Sequence, residues 1–394
     1  MSILARYVLF DLLKVFLVSL TGMTLFILMV GLFREAYNEG LGLKQILYLV
    51  PYVLPDALRF SVPATILFAA CSVFGRLSSA NEVIAVKASG ISPMVLVWPA
   101  VVLAFLLSLV AVWLNDVAVS WGRDGMARVV IESVEEIAYS RLQQQGSYTS
   151  KRFSINTHGL IGKHLIRPLI TMQNDNDEPP TTITCAEATM KADLHDNTFT
   201  MICTDAILDQ GGFSVMYPGD YRRVIPLDDA GHKGGGTRSP SDLPMCQIPS
   251  ERTQQELRIQ TLEQEMAAKA AYQMIGGDFA GLASNGWGKD QRQLVDYQQR
   301  LNRLEMEPYR RWANGFSCLC FVMLGAPLAI RMRNADFLTS FFMCFLPILI
   351  FYYPLMAFGV SQCKNGGFPS WGVWIGNLIL AIIGARFTQK ICRY

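Results

Sequence analysis

Charge is scarce in this chain. Only 17% of its 394 residues are Asp, Glu, Lys or Arg, against about 25% in an ordinary soluble domain. That deficit excludes a purely soluble protein. Disorder is excluded as well, because 17 Met, 22 Phe and 7 Trp supply ample apolar surface. The 34 basic and 32 acidic residues nearly cancel, to a formal charge of +2, so no nucleic-acid partner is implied. Cysteine is sparse and odd in number, nine residues scattered from Cys71 to Cys392, with no Cys-x-x-Cys pair and no Cys/His cluster. Neither a zinc site nor a disulfide scaffold is expected from that pattern. Histidine is rarer still. His158, His164, His195 and His232 all fall in the middle of the chain, three near predicted turns or strand ends, and read as solvated surface residues rather than ligands or bases. GxxxxGK[ST] is missing, so the chain is not expected to hydrolyse ATP by itself. GxSxG is missing too. The sequence therefore predicts no catalytic residue, no metal and no cofactor of its own. Acids are nearly absent from the apolar stretches, where Asp11 and Asp56 lie only at the edges. A proton- or sodium-coupled carrier usually needs a carboxylate near the bilayer midplane, so secondary transport is disfavoured.

What the chain has in abundance is long uncharged apolar sequence, gathered in two end blocks. A hydrocarbon core about 30 Å thick needs roughly 20 apolar residues in a helix. Val15 to Phe33 carries no charge, and Phe60 to Gly75 is extended by 52–58 with only Asp56 interrupting. Ala88 to Asn115, Trp312 to Ile330, Phe337 to Cys363 and Asn365 to Ala385 are uncharged too. The reading is six membrane helices, three on each side of a long gap. The first stretch is long, is followed by polar GLFREAYNEG and has no small-residue cleavage site behind it, so it reads as a retained span rather than a cleaved signal. Basic residues set the orientation. Arg6 and Lys14, Arg76 and Lys87, Arg331 and Arg333, and Arg386, Lys390 and Arg393 all fall on one side if there are six spans. That side is taken as the cytoplasm. The first outer loop carries Arg34, Lys44 and Arg59, balanced by Glu35, Glu39 and Asp56.

The gap is too long for a loop and reads as a non-cytoplasmic domain. Short β-rich runs occupy 152–156, 164–172, 183–190, 199–208 and 215–226, with ADLHDN (192–197) as a hairpin turn. They suggest an open sandwich or jelly roll. DDAGHKGGGTRSPSDLP (228–244) reads as a linker. From Ser250, an N-cap candidate, the pattern becomes helical, breaks at Gly276-Gly277, and resumes at about Lys289 to run into the fourth span. The expected divisions are 1–115 for the first membrane half, 116–245 for the β-rich domain, 246–311 for a helical extension, and 312–394 for the second half. Cys185 and Cys203 flank the hairpin almost symmetrically. They can form a cross-strand disulfide in an oxidising compartment, although directly opposed strand positions seldom meet disulfide geometry, and free thiols are the other reading.

The inner loop GRLSSANEVIAVKASGIS (75–92) is too polar to span the bilayer. Glu82, Val86 and Ser89 fall at i, i+4 and i+7 on one helical face, and Gly90 can end that helix. An amphipathic connector explains the pattern; so does a short helix, about 79–91, that docks in a groove of a cytoplasmic partner.

RLSSANEVIAVKASGIS resembles the coupling-helix segment of the LptF/LptG permeases, the membrane subunits of the lipopolysaccharide-export ABC transporter. The opening RYVLFDLLKVFLVSLTG is similar to that family's N-terminus. EPYRRWANGFSCLCFVMLGAPLAIRMR (307–333) resembles its fourth span, and YYPLMAFGVSQCKNGGFPSWGVWIGN (352–377) its fifth and sixth. The resemblance implies a permease that pairs with a second LptF/LptG-type subunit and is driven by a cytoplasmic ABC ATPase dimer, which holds the ATP and Mg. The pair extracts lipopolysaccharide or another bulky glycolipid from the inner membrane. The substrate passes through periplasmic jelly-roll domains to an LptC/LptA-like bridge protein. Glu82 is then expected to make a charge-assisted contact with the ATPase. Arg34 is a candidate for the anionic headgroup, which Arg binds bidentately, or a snorkelling interfacial anchor. Arg59 and Lys44 are weaker candidates, because Asp56 and Glu39 can pair with them. Arg310 and Arg311, at the outer end of the fourth span, are expected to touch substrate headgroups or outer-leaflet lipid. Ile183, Phe199, Met201 and Ile207 are candidates to line a lipid slot, with ordinary core packing as the other reading. The helical stretch 250–299 looks longer than the family's usual link. An ABC permease of lipoprotein-release or efflux type, usually with four spans, and a non-transporting membrane assembly protein are the alternatives.

Overall fold

The computed structural model describes residues 3–393 apart from 40–42, 124, 127–128, 130–138, 140–141, 144–145, 150–152, 163, 173–180, 194–197, 211–212, 227–238, 278–286 and 333–336. The described chain forms two compact units, one of residues 1–29, 54–122 and 239–394 and one of residues 30–53 and 123–238.

Long uncharged sequence has one outcome in lipid: each backbone N–H and C=O must be satisfied within its own helix. The helices are α1 (Ile3–Glu39), α2 (Leu43–Ser79), α3 (Glu82–Ala88), α4 (Met94–Val117), α5 (Ile248–Ile275), α6 (Gly288–Arg331), α7 (Phe337–Pro347), α8 (Tyr353–Lys364) and α9 (Ile375–Arg393). Among the described residues, six stretches are long and apolar enough to cross a membrane: Ile3–Arg34, Ile46–Ser79, Met94–Arg123, Gly288–Arg331, Phe341–Lys364 and Ser370–Lys390. The fold is therefore that of an α-helical integral membrane protein with six candidate spans, three before and three after an inserted sheet. α4 continues into a π-helix, Ala118–Arg123. The fifth span is α7 and α8 joined by a π-helical stretch, Ile348–Tyr352, that begins just after Pro347. Proline removes an i−4 hydrogen bond, and the local widening accommodates that loss.

The core of the membrane unit lies between α2, α4 and α6, around Ile66, Leu67, Phe74, Ala104, Cys318, Val322 and Ala326. The fourth span is the most buried of the six, and the first and fifth are the least. Close backbone approach replaces bulk at two glycines, as small residues allow in lipid. A Cβ on Gly315 would stand 2.4 Å from Val112 Cγ2, and one on Gly384 would stand 2.7 Å from the Met323 carbonyl oxygen. At one end of the bundle Arg76 pairs with Asp11, and the Ser78 hydroxyl donates to the Ile330 carbonyl at 2.6 Å.

α6 has 44 residues, roughly 66 Å at 1.5 Å per residue, about twice the hydrocarbon thickness. Its polar first half packs against α5. Arg252 reaches Glu305 at 2.8 Å, Lys269 reaches Asp290 at 2.8 Å, and buried Gln255 donates to the Tyr297 carbonyl at 3.1 Å. α5 begins two residues before Ser250. With Pro249 in its first turn, Ser250 is already helical, and its hydroxyl donates back to the Gln247 carbonyl at 2.8 Å instead of capping.

The described residues of the inserted unit form one curled antiparallel sheet of nine strands: β1 (Ser147–Thr149), β2 (Phe153–Asn156), β3 (Gly159–Ile161), β4 (His164–Ile166), β5 (Leu169–Met172), β6 (Thr181–Thr184), β7 (Glu187–Asp193), β8 (Thr198–Gln210) and β9 (Phe213–Pro226). The long β8–β9 ribbon is its spine, and on the other edge of β8 lie β7 (against 198–204) and β6 (against 207–209). The runs expected as single strands over 183–190 and 164–172 are each broken in two, at Cys185–Ala186 and at Arg167–Pro168. Arg167 (φ 45°), Asp205 (φ 55°) and Gly219 (φ 98°) leave the extended region, and hydrogen bonds tie Arg167 N to Ala186 O and Ala186 N to Thr204 O. The breaks line up as one crease across the sheet. Its two limbs share a core of Ile155, Ile170 and Ile183 from one side and Leu165, Met190, Met201 and Cys203 from the other.

Candidate functional site

α3 is built by its two ends. Asn81 enters in the left-handed region (φ 61°), and Gly90 leaves in it (φ 80°). Gly90 N bonds to Lys87 O at 3.0 Å and Ile91 N to Val86 O at 3.2 Å, the paired bonds of a Schellman turn that needs glycine at this point. Gly90 thus ends the helix where the sequence placed the stop. The helix then divides by face. Val83 and Val86 are buried in the membrane core, while Ile84 is 44% exposed and Ala85, Ala88 and Ser89 are open. Glu82 and Lys87 sit at the borders, each half-buried. The Ser89 hydroxyl turns back to the Val86 carbonyl at 2.8 Å. This differs from a single face of Glu82, Val86 and Ser89. At 100° per residue the core takes the 83/86 side, so Val86 faces inward and the outward face is Ile84, Ala85 and Ala88.

The second cluster sits where α4, α6 and the strand of chain before α5 meet. Arg311 is 3% exposed and Glu307 2%. The Arg311 guanidinium donates to Glu307 Oε1 at 3.2 Å, to Asp116 Oδ1 at 3.1 Å and to the Leu243 carbonyl at 2.6 Å. The Met245 amide donates to the same Asp116 oxygen at 3.0 Å. Arg310 makes a two-pronged contact with Glu307, at 2.7 and 2.9 Å. Two cations thus meet two carboxylates, and the buried charges are all paired, the condition on which such burial is tolerated. Arg311 was expected at a lipid headgroup. Its donors are instead turned into the fold, because Asp116 and the Leu243 carbonyl offer it partners within the chain. Arg310 is the more open of the two, with 29% of its side chain exposed. The sequence showed Asp116, Glu307 and the Arg pair only as span-edge charges. No local pattern joins residues 195 positions apart.

Arg34 is exposed at the end of the first span. Arg59 is paired with Asp56 at 2.7 Å and lies over the Phe60 ring, 4.6 Å from its centroid, as the balance of charges foretold. The side chain of Lys44 lies outside the described residues. In the sheet, Ile183 (1% exposed) and Met201 (0%) are packed core, and Ile207 is 41% exposed. The side chain of Phe199 is not among those described. Strict alternation would put 201 and 207 on one face. The left-handed residue Asp205 shifts the parity at a register break between Thr204 and Ala206, so Ala206 turns in and Ile207 out.

Two sets of three candidate spans on either side of an inserted sheet, with a short helix between the second and third, give the class of a multi-pass membrane protein with an inserted β-domain. The chain belongs to the LptF/LptG family: the family model described as lipopolysaccharide export system permease LptF/LptG matches residues 6–390. No curated protein matches the chain. Members of this family are permease components rather than enzymes, and work in a lipopolysaccharide-export complex with other subunits.

Proposed function

We propose that the chain is the transmembrane permease subunit of an ABC transporter that extracts lipopolysaccharide or a similar glycolipid from the inner membrane and passes it to a periplasmic bridge. The family match over residues 6–390 carries this reading. The protein is multi-pass in the inner membrane, with the β unit and the α5–α6 hairpin in the periplasm. Its partners are a cytoplasmic ABC ATPase dimer, which binds ATP and Mg, a second LptF/LptG-type subunit, and an LptC/LptA-like bridge.

The chain's own residues divide the labour. Closure of the ATPase dimer pushes on α3. Val83 and Val86 seat that helix on the core beside α2 and α6, so the push is passed to the spans rather than lost in a loop. Glu82, at the border of the open face, supplies the charged contact, and Gly90 sets where the helix stops. Arg34 and Arg59 are the cations at headgroup depth on the outer side, with Arg310 beside them in role. In the sheet, Ile183 and Met201, now packed core, line the slot only when the two limbs part. Purification of the chain from its own cells, with mass spectrometry of what accompanies it, tests the reading. A separate ABC ATPase whose turnover rises with lipopolysaccharide supports it. A chain that purifies without any ATPase, or with one indifferent to lipid, overturns it.

A further inference from the structure

The creased sheet holds a pair of thiols that transport does not use. Cys185 sits in the break between β6 and β7, and Cys203 lies on β8 beside the register shift. Their flanking residues are tied directly, since Ala186 N donates to Thr204 O at 3.1 Å. Both side chains enter the same core, Cys185 4% and Cys203 0% exposed, and each thiol shifts the other's pKa. Among the described residues both are free thiols.

We propose that Cys185 and Cys203 are a redox site that closes into an intramolecular disulfide and so pins the crease of the sheet. The two positions are not a directly opposed pair in a regular ladder. Cys203 is paired with Ala188 and Tyr221, and Cys185 approaches it only because the strand breaks at the crease. The general objection to opposed strand positions therefore does not apply to this pair. The bond would join the turn from β6 into β7 to the spine strand both of them pair with. It would hold that one wall and leave the opposite limb free to move.

The exchange is with a disulfide oxidant, RSSR, of the glutathione or thiol-oxidoreductase class. Cys203 is the first nucleophile: the Cys185 thiol lowers its pKa, whereas Cys203 and burial push Cys185 up. The Cys203 thiolate attacks RSSR, forming Cys203–S–S–R and expelling RS⁻, which takes the proton Cys203 gave up. The Cys185 sulfur then attacks the Cys203 sulfur, the second RS⁻ leaves, and it takes the Cys185 proton. Two thiols have lost two electrons, and RSSR has become two RSH. Burial places the exchange during an opening of the crease. In the cell the site needs an oxidising compartment, and there it rests on the outward placement of this unit.

The test uses the purified full chain in detergent, incubated in glutathione buffers from reduced to oxidised. Samples are trapped with acid, unfolded, alkylated and cut with trypsin, which cleaves at Lys191 between the two cysteines. Cys246 is exposed, and its glutathione adduct reports that the oxidant has acted. The expected result is that most of the chain yields the two peptides linked through Cys185 and Cys203 in oxidised buffer, that the link is lost on reduction, and that Cys185→Ala abolishes it. Cys246 carrying glutathione while Cys185 and Cys203 are recovered unlinked overturns the proposal, whatever the variant does. Chain trapped directly from cells separates the two readings. A link that forms in glutathione and is missing from cells overturns the outward placement of the unit and leaves the thiol pair standing.

Discussion

Arg310 and Arg311 are neighbours in sequence with different physical situations. Arg311 has no water to fall back on, so removing its charge breaks the buried Arg311–Glu307 pair, leaves Glu307 with Arg310 alone, and strips Asp116 and the Leu243 carbonyl of their guanidinium donor. Breaking a buried pair in this way costs about 3–5 kcal/mol. Arg311→Met is expected to lower the melting temperature of the detergent-solubilised chain strongly. Arg310→Met should cost about 1 kcal/mol, because Glu307 keeps Arg311 and part of the Arg310 site is already wet. Thermal unfolding of the two variants side by side measures the contrast. If Arg311→Met melted like the parent and lost only lipid binding, the lock would be wrong and the headgroup role right. What was legible here was the kind of residue at the membrane edge. Which residue was already spoken for depended on Asp116 and Leu243, brought together by tertiary structure.

At the scale of elements, absence of charge made the six spans readable, because nothing but a helix satisfies an apolar backbone in lipid. The short helix between the second and third spans was readable from Gly90 as the stop. Its facing was not. The helical wheel ranks faces by polarity, and here the inward face is chosen by the neighbouring core while Ile84 is left outside. Two variants separate these roles. Val86→Ala is expected to cost about 1–2 kcal/mol of stability, with coupling retained in the folded fraction. Ile84→Asp should leave the melting temperature within about 0.5 kcal/mol of the parent and reduce lipid-stimulated ATPase in the reconstituted complex roughly tenfold, the effect of losing about 1.4 kcal/mol of interface contact. Equal ATPase losses in both, matched to equal losses of fold, would remove the assignment of the outer face. The sheet shows the same limit in β form. Alternation located the strands, but the crease depends on Arg167 and Asp205 at positive φ, residue types that do not announce a left-handed backbone as glycine does. Helix packing adds a further prediction. The space opposite Gly384 is filled by the backbone of α6, 2.7 Å from where a Cβ would sit, so it cannot yield as a flexible side chain would. Gly384→Ala is expected to destabilise the packing of α9 on α6 by about 1–3 kcal/mol, read as faster proteolysis of the last span, whereas Gly22→Ala, with nothing within 4 Å, should be silent.

At the scale of the whole molecule, the near-zero net charge conceals a sidedness that fixes where each part works. Along the sequence, the Lys/Arg residues at 6 and 14, 76 and 87, 331 and 333, and 386, 390 and 393 flank alternate junctions of the six candidate spans, so a six-span topology gathers them on one side. Retention of Lys and Arg in short loops on the cytoplasmic side is the strongest orienting rule for such chains. In the orientation proposed above, that rule puts α3 on the cytoplasmic side. Cys246 offers a native probe of this arrangement. It is exposed, whereas the other cysteines among the described residues are buried, and its neighbour Met245 is held to Asp116 at the far end of the third span from α3. A membrane-impermeant maleimide added to intact spheroplasts should label the chain at Cys246, and Cys246→Ala should abolish that labelling without changing the fold, since the side chain is solvent-facing. In a Cys392→Ala chain, inside-out vesicles should be labelled only after the membrane is opened with detergent. Labelling in the opposite sense would put α3 outside, beyond reach of any cytoplasmic ATPase, and the transport reading would fall with it. Labelling in the expected sense places the short helix and the sheet on opposite sides of the bilayer, the separation that lets ATP hydrolysis on one side drive lipid movement on the other.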